Sequence, residues 1–181
     1  MTRFFDMLLS FFGLVFFSPL LLALYLVCHL DTGDAVFRQV RVGRNSQPFT
    51  LLKFRTMRIG TESVATHLAD ASAITKSGRF LRRTKLDELP QLWNVLKGEM
   101  SLVGPRPCLL NQSELIAERD LRGVLNARPG VTGLAQVKGV DMSIPRRLAE
   151  MDALMLQEMN SWNYFKYIFL TIFGSGAGDR I

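Results

Sequence analysis

Residues 4–30 read FFDMLLSFFGLVFFSPLLLALYLVCHL, and apart from Asp6, Ser10, Ser18 and His29 almost all of them are apolar. An exposed helix of a water-soluble protein does not carry so long an apolar run, so this stretch is predicted to lie in a membrane. A cleaved signal peptide is disfavoured because no small-residue cleavage site comes after the run.

The dipeptide Ser18-Pro19 lies in the middle of this stretch. Proline removes a helix hydrogen bond and costs about 3 kcal/mol inside a straight helix, so a bend is expected there. Each half would measure about 20 Å, which is less than the roughly 30 Å of hydrocarbon in a bilayer. Two arrangements remain open: a kinked helix that spans the bilayer, and a helix-break-helix hairpin that returns to the face it entered.

Composition places the rest of the chain in one domain that binds anions. A chain of 181 residues is long enough for one core, and its formal net charge is +6. A basic chain favours nucleic acid, phosphorylated metabolites or anionic lipid as partners. Cations are more frequent after the apolar stretch than before it, which predicts a cytoplasmic location for the residues on its C-terminal side. Cys28 and Cys108 are isolated and predict neither a disulfide framework nor a zinc site.

Hydrophobic patterns predict a short β-hairpin and several helices. The hairpin covers residues 36–54, with its turn at 43–47. Thr84, three residues before Asp87, predicts the cap of a helix that runs to Gly98. Another helix is predicted to begin near Pro145, with an apolar stripe of Ile144, Leu148, Met151, Met155 and Met159, and with Asp152 beside it.

Three other segments are less well defined by pattern. The aromatic stretch 162–173 suits equally a helix at a membrane surface and a core helix. Residues 60–75 are small and polar, which predicts a loop or a mobile helix over the active face. Residues 174–181 are expected to form a flexible tail, and no internal repeat is present.

Candidate chemistry concentrates in a run of cations that ends in two adjacent carboxylates, Asp87 and Glu88; the cations are Lys76, Arg79, Arg82, Arg83 and Lys85. On their own, the two acids suit the first turn of a helix. Two arginines change this interpretation, because Arg106 and Arg128 lie in proline-glycine loops that restrict the backbone. A guanidinium on a fixed loop is well suited to binding phosphate oxygens in a bidentate manner.

Anionic phosphate beside Asp87 and Glu88 requires compensating positive charge. Two unit charges 4 Å apart repel by about 4 kcal/mol at an effective dielectric constant near 20. A Mg²⁺ ion held by one carboxylate and by a diphosphate would offset this repulsion, as would the arginines. The other carboxylate is then free to attack phosphorus and form an acyl phosphate. Spacing alone does not decide which acid has which role.

At these residues the sequence resembles the small monotopic phosphoglycosyl transferases of the bacterial sugar transferase family. The resemblance covers nearly the whole chain, and several long motifs occur in one order. They are RFFD at 3–6, Ser18-Pro19, KFRTM at 53–57, LDELPQLWNVLKG at 86–98, MSLVGPRP at 100–107 and RPGVTG at 128–133.

The resemblance implies a helix-rich α+β fold with a re-entrant membrane helix broken at Ser18-Pro19, surface-lying amphipathic helices and a short β-hairpin. It implies a membrane segment at residues 1–30 and one integrated catalytic domain at residues 31–181. The active site would face the cytoplasm at the bacterial inner membrane. A homodimer is compatible with this arrangement, and the sequence does not fix the oligomeric state.

The resemblance also implies the reaction. Asp87 would attack the β-phosphate of a UDP-sugar and release UMP, and polyprenol phosphate would then take the sugar phosphate from the aspartate in a ping-pong mechanism. Glu88 matches the family's Mg²⁺-binding glutamate. Positions around the phosphates and the active site are matched by Lys53, Arg82, Arg106 and Asp152, and Arg128 is a further candidate phosphate-binding residue.

One departure from the family's pattern leaves the sugar open. Relatives often carry tryptophan after the Thr-Gly of the Arg-Pro-Gly motif and an Asn-Gly-Arg stretch soon after. This chain has Leu134 and Lys138-Gly139-Val140 instead. Because that stretch lies near the sugar end of the site in some members, neither the sugar nor the glycan pathway is predicted.

The rival hypothesis is a membrane-anchored module that binds anionic lipid or nucleic acid without chemistry. Nucleic acid is the weaker option, because the aromatic residues cluster in apolar runs and do not alternate with cations. His29 and His67 lack partners at informative spacing and are interpreted as structural. Cys28 and Cys108 are likewise interpreted as small apolar core residues.

Overall fold

A computed structural model describes residues 2–61 and 71–173. The expected helix-rich α+β fold is confirmed. The helices are α1 (Thr2–Phe16), α2 (Ser18–Thr32), α3 (Lys76–Thr84), α4 (Gln91–Lys97), α5 (Ser113–Leu121), α6 (Leu134–Lys138), α7 (Pro145–Gln157) and α8 (Ser161–Ile172). The strands are β1 (Val36–Val42), β2 (Pro48–Phe54), β3 (Ser101–Val103) and β4 (Gly130–Thr132).

The N-terminal apolar stretch forms two helices of 15 residues each, α1 and α2, bent by 66° at Ser18-Pro19. Pro19 cannot donate a hydrogen bond to Val15 O. The Ser18 hydroxyl replaces this bond by donating to Val15 O at 2.8 Å, which satisfies the carbonyl at the break. The predicted break is therefore confirmed. Among the described helices none alone is long and apolar enough to cross a bilayer, whereas α1 and α2 taken together are.

Helix α1 is joined to the rest of the fold by buried polar contacts. The Asp6 carboxylate is 1 % exposed and accepts hydrogen bonds from Ser101 Oγ, Leu102 N and Tyr164 OH at 2.8 to 2.9 Å. These donors lie on β3 and α8, so one carboxylate links three elements. Burial and the bond to Asp6 raise the pKa of Tyr164, which keeps its hydroxyl a donor.

The predicted hairpin is confirmed. Strands β1 and β2 pair antiparallel from Val36–Phe54 to Val42–Pro48, around a 3₁₀ turn at Arg44–Ser46. The outer edge of β2 is covered by the side chain of Asn94 on α4. Its amide donates to Thr50 O at 2.7 Å and accepts from Leu52 N at 3.0 Å, which satisfies the backbone that the edge strand leaves unpaired.

A second sheet, which sequence patterns did not predict, pairs β3 with β4 in parallel. Beyond the end of β3, the backbone at Gly104 lies directly against the backbone at Gly130 of β4, and this close approach requires glycine. A Cβ on Gly130 would lie 2.0 Å from Gly104 N, so no side chain fits there. Gly104 N donates to Thr132 O and Gly130 N donates to Pro105 O, both at 2.8 Å. These bonds fix the Gly104–Pro107 loop to β4.

One helix start was predicted wrongly. Thr84 does not cap a helix that begins there; it is the last residue of α3, and its hydroxyl donates to Phe80 O at 2.9 Å. Lys85 comes next in the left-handed conformation (φ 58°), which ends α3 and separates it from a 3₁₀ turn at Leu86–Glu88. The threonine that caps a helix is Thr75, which accepts from Gly78 N. The predicted end of α4 at Gly98 is confirmed.

The two remaining helices are confirmed, but Ile144 and Met159 of the predicted apolar stripe lie outside α7, and Ile144 is exposed. Helix α7 begins at Pro145 and buries Leu148, Asp152 and Met155. Helix α8 buries Tyr164 and Tyr167 in the core and exposes its other face; contact of that face with a membrane stays a prediction. The predicted tail at 174–181 and most of the predicted loop at 60–75 lie outside the described residues, as does His67.

The other residues interpreted as structural lie in the hydrophobic core or in a ring stack on α2. Cys28 and Cys108 are buried free thiols in two separate hydrophobic clusters. His29 lies on the exposed side of α2, where its ring stacks on Tyr25 with the centroids 6.1 Å apart. The division into residues 1–30 and 31–181 stays a prediction.

Replacing Asp6 by alanine should destabilise the fold. Asp6→Ala leaves three donors, two of them buried, without an acceptor, and we expect the free energy of unfolding to fall by about 3 kcal/mol. Asp120→Ala, which removes an exposed carboxylate, should change it by less than about 0.5 kcal/mol. Chemical unfolding in detergent measures both, and equal stabilities of the two variants would contradict the proposed link between α1 and the core.

Candidate active site

The 3₁₀ turn Leu86–Glu88 holds the two candidate acids in place. Leu86 and Leu89 pack against a hydrophobic cluster that includes Leu24 of α2, Phe54 of β2 and Leu81 of α3. These apolar contacts on both sides fix the backbone between them. Asp87 is buried, at 3 % exposed, and Glu88 is half-buried. The turn therefore presents adjacent carboxylates at the junction of α2, α3 and the hairpin.

A small open cleft lies beside this turn. Its polar lining consists of Arg41 on β1, Lys53 on β2, Glu88, Gln91 on α4 and Arg106. Three cations and one carboxylate thus line the same small cleft. Such an excess of positive charge suits a ligand that carries more than one negative charge, such as a diphosphate.

Glu88 and Arg106 form an ion pair across the cleft. Arg106 Nη2 donates to Glu88 Oε1 at 3.0 Å, and the side chains are 32 % and 16 % exposed, Arg106 being the more exposed. The loop that carries Arg106 is fixed at several points, because Arg41 Nη1 also donates to Pro107 O at 3.1 Å. The prediction that a stiff loop holds Arg106 beside the carboxylates agrees with this geometry.

Lys53, Glu88 and Arg106 are the predicted site residues that the fold brings together in the cleft. Arg41 and Gln91 also line the cleft, and sequence reasoning did not propose them for the site. A signal was present for Arg41: in the hairpin register it pairs with Phe49, so it shares a face with Lys53 four residues further along β2. Gln91 carried no comparable signal.

Arg82 lies behind the turn. It is 9 % exposed, and its Nε donates to Thr56 Oγ1 at 2.8 Å. Its Nη1 is also buried and has no hydrogen-bond partner among the described residues. A buried guanidinium nitrogen without an acceptor is costly, so Arg82 is a reasonable donor for an anionic ligand near Asp87.

Arg128 and Asp152 make contacts elsewhere. Arg128 Nε donates to Gly98 O at 2.9 Å, at the C-terminus of α4, where Arg3 also donates to Val95 O and Leu96 O. Asp152 is fully buried and accepts two hydrogen bonds from Arg119. Burial raises the pKa of the Asp152 carboxyl, and Arg119 opposes that shift.

The residues fit a metal ion shared with substrate better than a metal site made by protein alone. In the part of the chain that the structure describes, no three His, Cys, Asp or Glu side chains converge on one point. Mg²⁺ commonly binds through one or two carboxylates, with water and substrate phosphate completing its shell. Glu88 lines the cleft and supplies one such carboxylate.

Comparison with known proteins supplies a family for this fold. The family described as "Bacterial sugar transferase" matches residues 1–176. A Bacillus subtilis protein named uncharacterized sugar transferase EpsL is 39 % identical, over 95 % of this chain and 85 % of that protein.

Two further relatives carry names that state a reaction. The undecaprenyl-phosphate galactose phosphotransferase of Salmonella typhimurium is 36 % identical over 94 % of this chain and 39 % of that protein. The UDP-glucose:undecaprenyl-phosphate glucose-1-phosphate transferase of Klebsiella pneumoniae is 37 % identical over 93 % and 38 %, respectively. The chain therefore spans about two fifths of the length of several curated relatives that it matches.

The cleft should bind inorganic pyrophosphate. Because Lys53 contributes one of the three cations, Lys53→Met should weaken binding about tenfold, equivalent to about 1.4 kcal/mol. Lys97→Met is the matched control, since the Lys97 ammonium forms a surface ion pair with Glu99 and should not affect binding. Calorimetric titration in detergent with Mg²⁺ measures both, and equal affinity of the Lys53 variant and the wild type would show that the cleft is not the diphosphate site.

Proposed function

Because the chain belongs to the bacterial sugar transferase family, we propose that it transfers a sugar 1-phosphate from a UDP-sugar to undecaprenyl phosphate, with UMP and undecaprenyl diphosphate sugar as products. The names of the relatives from Salmonella typhimurium and Klebsiella pneumoniae support this reaction. The transfer would be the first membrane step of glycan assembly.

The observation that carries the proposal is the charge arrangement around Glu88. Arg41, Lys53 and Arg106 line the same cleft as Glu88, and Asp87 is the preceding residue of the same turn. A diphosphate in this cleft would lie among cations, beside Glu88 and one residue along the chain from the buried Asp87. A surface that only binds anions does not need carboxylates among its cations. Acidic residues that only start a helix do not need to line a cleft.

Asp87 is the proposed nucleophile. A carboxylate oxygen of Asp87 attacks the β-phosphorus of the UDP-sugar and forms a P–O bond. The bond from that phosphorus to the bridging oxygen breaks, and UMP leaves with the bridging oxygen. The cations of the cleft bind the phosphate oxygens and stabilise the charge that develops during transfer.

Undecaprenyl phosphate accepts the group in the second step. One of its phosphate oxygens attacks the phosphorus of the aspartyl phosphosugar, and the Asp87 carboxylate leaves. Each step then transfers one phosphoryl group between two anions, and the same cations serve both steps. Residues that touch only phosphate are therefore expected to affect both half-reactions.

Magnesium is proposed as the cofactor, held by Glu88 and by the diphosphate of the substrate. When bound, the ion would neutralise phosphate charge and orient the leaving phosphate. Lys53 and Arg106 would contact the remaining phosphate oxygens. Arg82 is proposed for the same group because of its unpaired, buried Nη1, and Arg128 is retained as a weaker candidate for phosphate binding.

We propose that α1 and α2 form a re-entrant hairpin in the inner membrane, with the cleft at the cytoplasmic face. Each helix of 15 residues is about 22 Å long and cannot span the hydrocarbon alone. Large apolar side chains are exposed on α1, α2 and α8; they include Phe16 at 77 %, Leu30 at 85 % and Trp162 at 79 %. Such surfaces suit lipid better than water.

The sugar stays open. The two relatives named above differ in their sugar, galactose in one and glucose in the other, at nearly the same identity to this chain. The departure at Leu134 and Lys138 falls in the region that the resemblance associates with the sugar. A panel of UDP-sugars is the appropriate substrate set.

The proposal predicts UMP release that requires both substrates. Full-length protein in nanodiscs, given Mg²⁺ and a panel of UDP-sugars, should release UMP continuously only when undecaprenyl phosphate is present. Asp87→Asn should lower that rate by at least about 10³-fold, because the amide cannot act as the nucleophile. Asp120→Asn, at an exposed aspartate on α5, should retain the wild-type rate.

Two outcomes would contradict the proposal. No UMP release by the wild-type protein with any UDP-sugar would favour the binding-module hypothesis. Full activity of the Asp87→Asn variant would agree with the proposed overall reaction but would exclude Asp87 as the nucleophile.

A further inference from the structure

A buried ion pair lies behind the loop that carries Arg106. Arg119 on α5 donates from Nε and Nη2 to Asp152 Oδ2 on α7, at 3.0 and 2.7 Å. The side chains of Arg119 and Asp152 are 3 % and 1 % exposed. Neither side chain faces solvent, so the pair is part of the interior.

The third contact of Arg119 points toward the active site. Its Nη1 donates to Arg106 O at 2.8 Å. Asp152 therefore fixes one side of the guanidinium, and the opposite side holds the backbone of the loop. Arg106 in turn contacts Glu88 at 3.0 Å. One continuous set of contacts thus runs from α7 through α5 to the carboxylate in the cleft.

The pair is poorly suited to a role in stability alone. Removing two charges from water is expensive, and buried ion pairs are often no more stable than apolar residues of similar size. Asp152 Oδ1 is also buried without a hydrogen-bond partner among the described residues, which adds to the cost. An arginine is, however, the side chain that can donate to a carboxylate and to a loop carbonyl at the same time.

We infer that Arg119 and Asp152 are positioning residues that fix Arg106, and through it Glu88, in the geometry needed for transfer. This inference rests on the proposed function. It gives Asp152 a role different from contact with substrate, which the resemblance implied. A displacement of about 1 Å in a substrate-positioning group can cost about 100-fold in rate, so indirect support of this kind is measurable.

The test replaces the pair by apolar residues of similar size. The double variant Arg119→Met/Asp152→Leu keeps the buried volume without leaving one charge unpaired. We expect it to fold with an unfolding midpoint near that of the wild type. Its kcat for UMP release should fall about 100-fold, and by the same factor for every UDP-sugar that the wild type uses.

A mutant cycle with Arg106→Ala shows whether the pair acts through Arg106. If it does, adding the double substitution to Arg106→Ala should cause less than about a twofold further loss. Arg119→Lys is the second variant, because it keeps the charge but cannot span both partners with one fork, and it should show the same dependence on Arg106. Arg146→Met, at an exposed ion pair on α7, is the control with wild-type activity.

Three results would overturn the inference. A double variant with wild-type kcat would show that the pair does not affect the site. If the double substitution lowers kcat by the same factor in the Arg106→Ala background as in the wild type, the pair acts independently of Arg106. A change in the order of preference among UDP-sugars would favour direct contact between Asp152 and the sugar.

A binding measurement separates this inference from the proposed function. Calorimetry without turnover measures the dissociation constant of UDP in the presence of Mg²⁺ for the wild type, the double variant, Arg106→Ala and their combination. We expect the double variant to bind UDP about tenfold more weakly than the wild type. The combined variant should bind UDP as weakly as Arg106→Ala alone. A wild-type protein that binds UDP but releases no UMP would refute the proposed reaction, and the binding cycle would still decide the role of the pair.

Discussion

Repulsion between anions is the constraint on which the proposed reaction depends. A carboxylate that attacks a diphosphate meets a repulsion of about 4 kcal/mol for each pair of unit charges at 4 Å, at an effective dielectric constant near 20. Arg41, Lys53 and Arg106 line one cleft and supply positive charge that offsets this repulsion. Cations on free surface side chains would lose much of their effect to solvent and to side-chain entropy, so the backbone that carries them has to be fixed.

The fixed backbone comes from long-range contacts between polar side chains and main-chain atoms. Arg119 and Arg41 hold consecutive carbonyls of the Arg106 loop, and Asn94 covers the edge of the strand that carries Lys53. The buried Asp6 carboxylate joins the N-terminal helix pair to β3 and α8 through three hydrogen bonds. The proposed membrane hairpin and the cleft are consequently parts of one structure, so the depth of the hairpin in the bilayer would fix the height of the cleft above it.

Sequence patterns predicted the features that depend on neighbouring residues. Pro19 removes a helix hydrogen bond in the middle of an apolar run. The alternation in residues 36–43, with a turn and a second run after it, favours a hairpin. The helix start predicted at Thr84 was wrong because Lys85 adopts a left-handed conformation, which cannot be predicted from a lysine in the sequence. Arg119 and its partner Asp152 are 33 residues apart, and Arg41 contacts a carbonyl 66 residues away. Such contacts exist only in the folded chain, which is why the support of the Arg106 loop escaped prediction.

The central claim is that the sugar phosphate passes through Asp87. The most direct measurement is the intact mass of wild-type protein mixed with Mg²⁺ and UDP-sugars in the absence of undecaprenyl phosphate. We expect an added mass of one sugar phosphate, localised to the peptide containing Asp87 and removed when undecaprenyl phosphate is added. An unmodified protein that nevertheless releases UMP once undecaprenyl phosphate is supplied would contradict this claim and would indicate direct transfer between the two substrates.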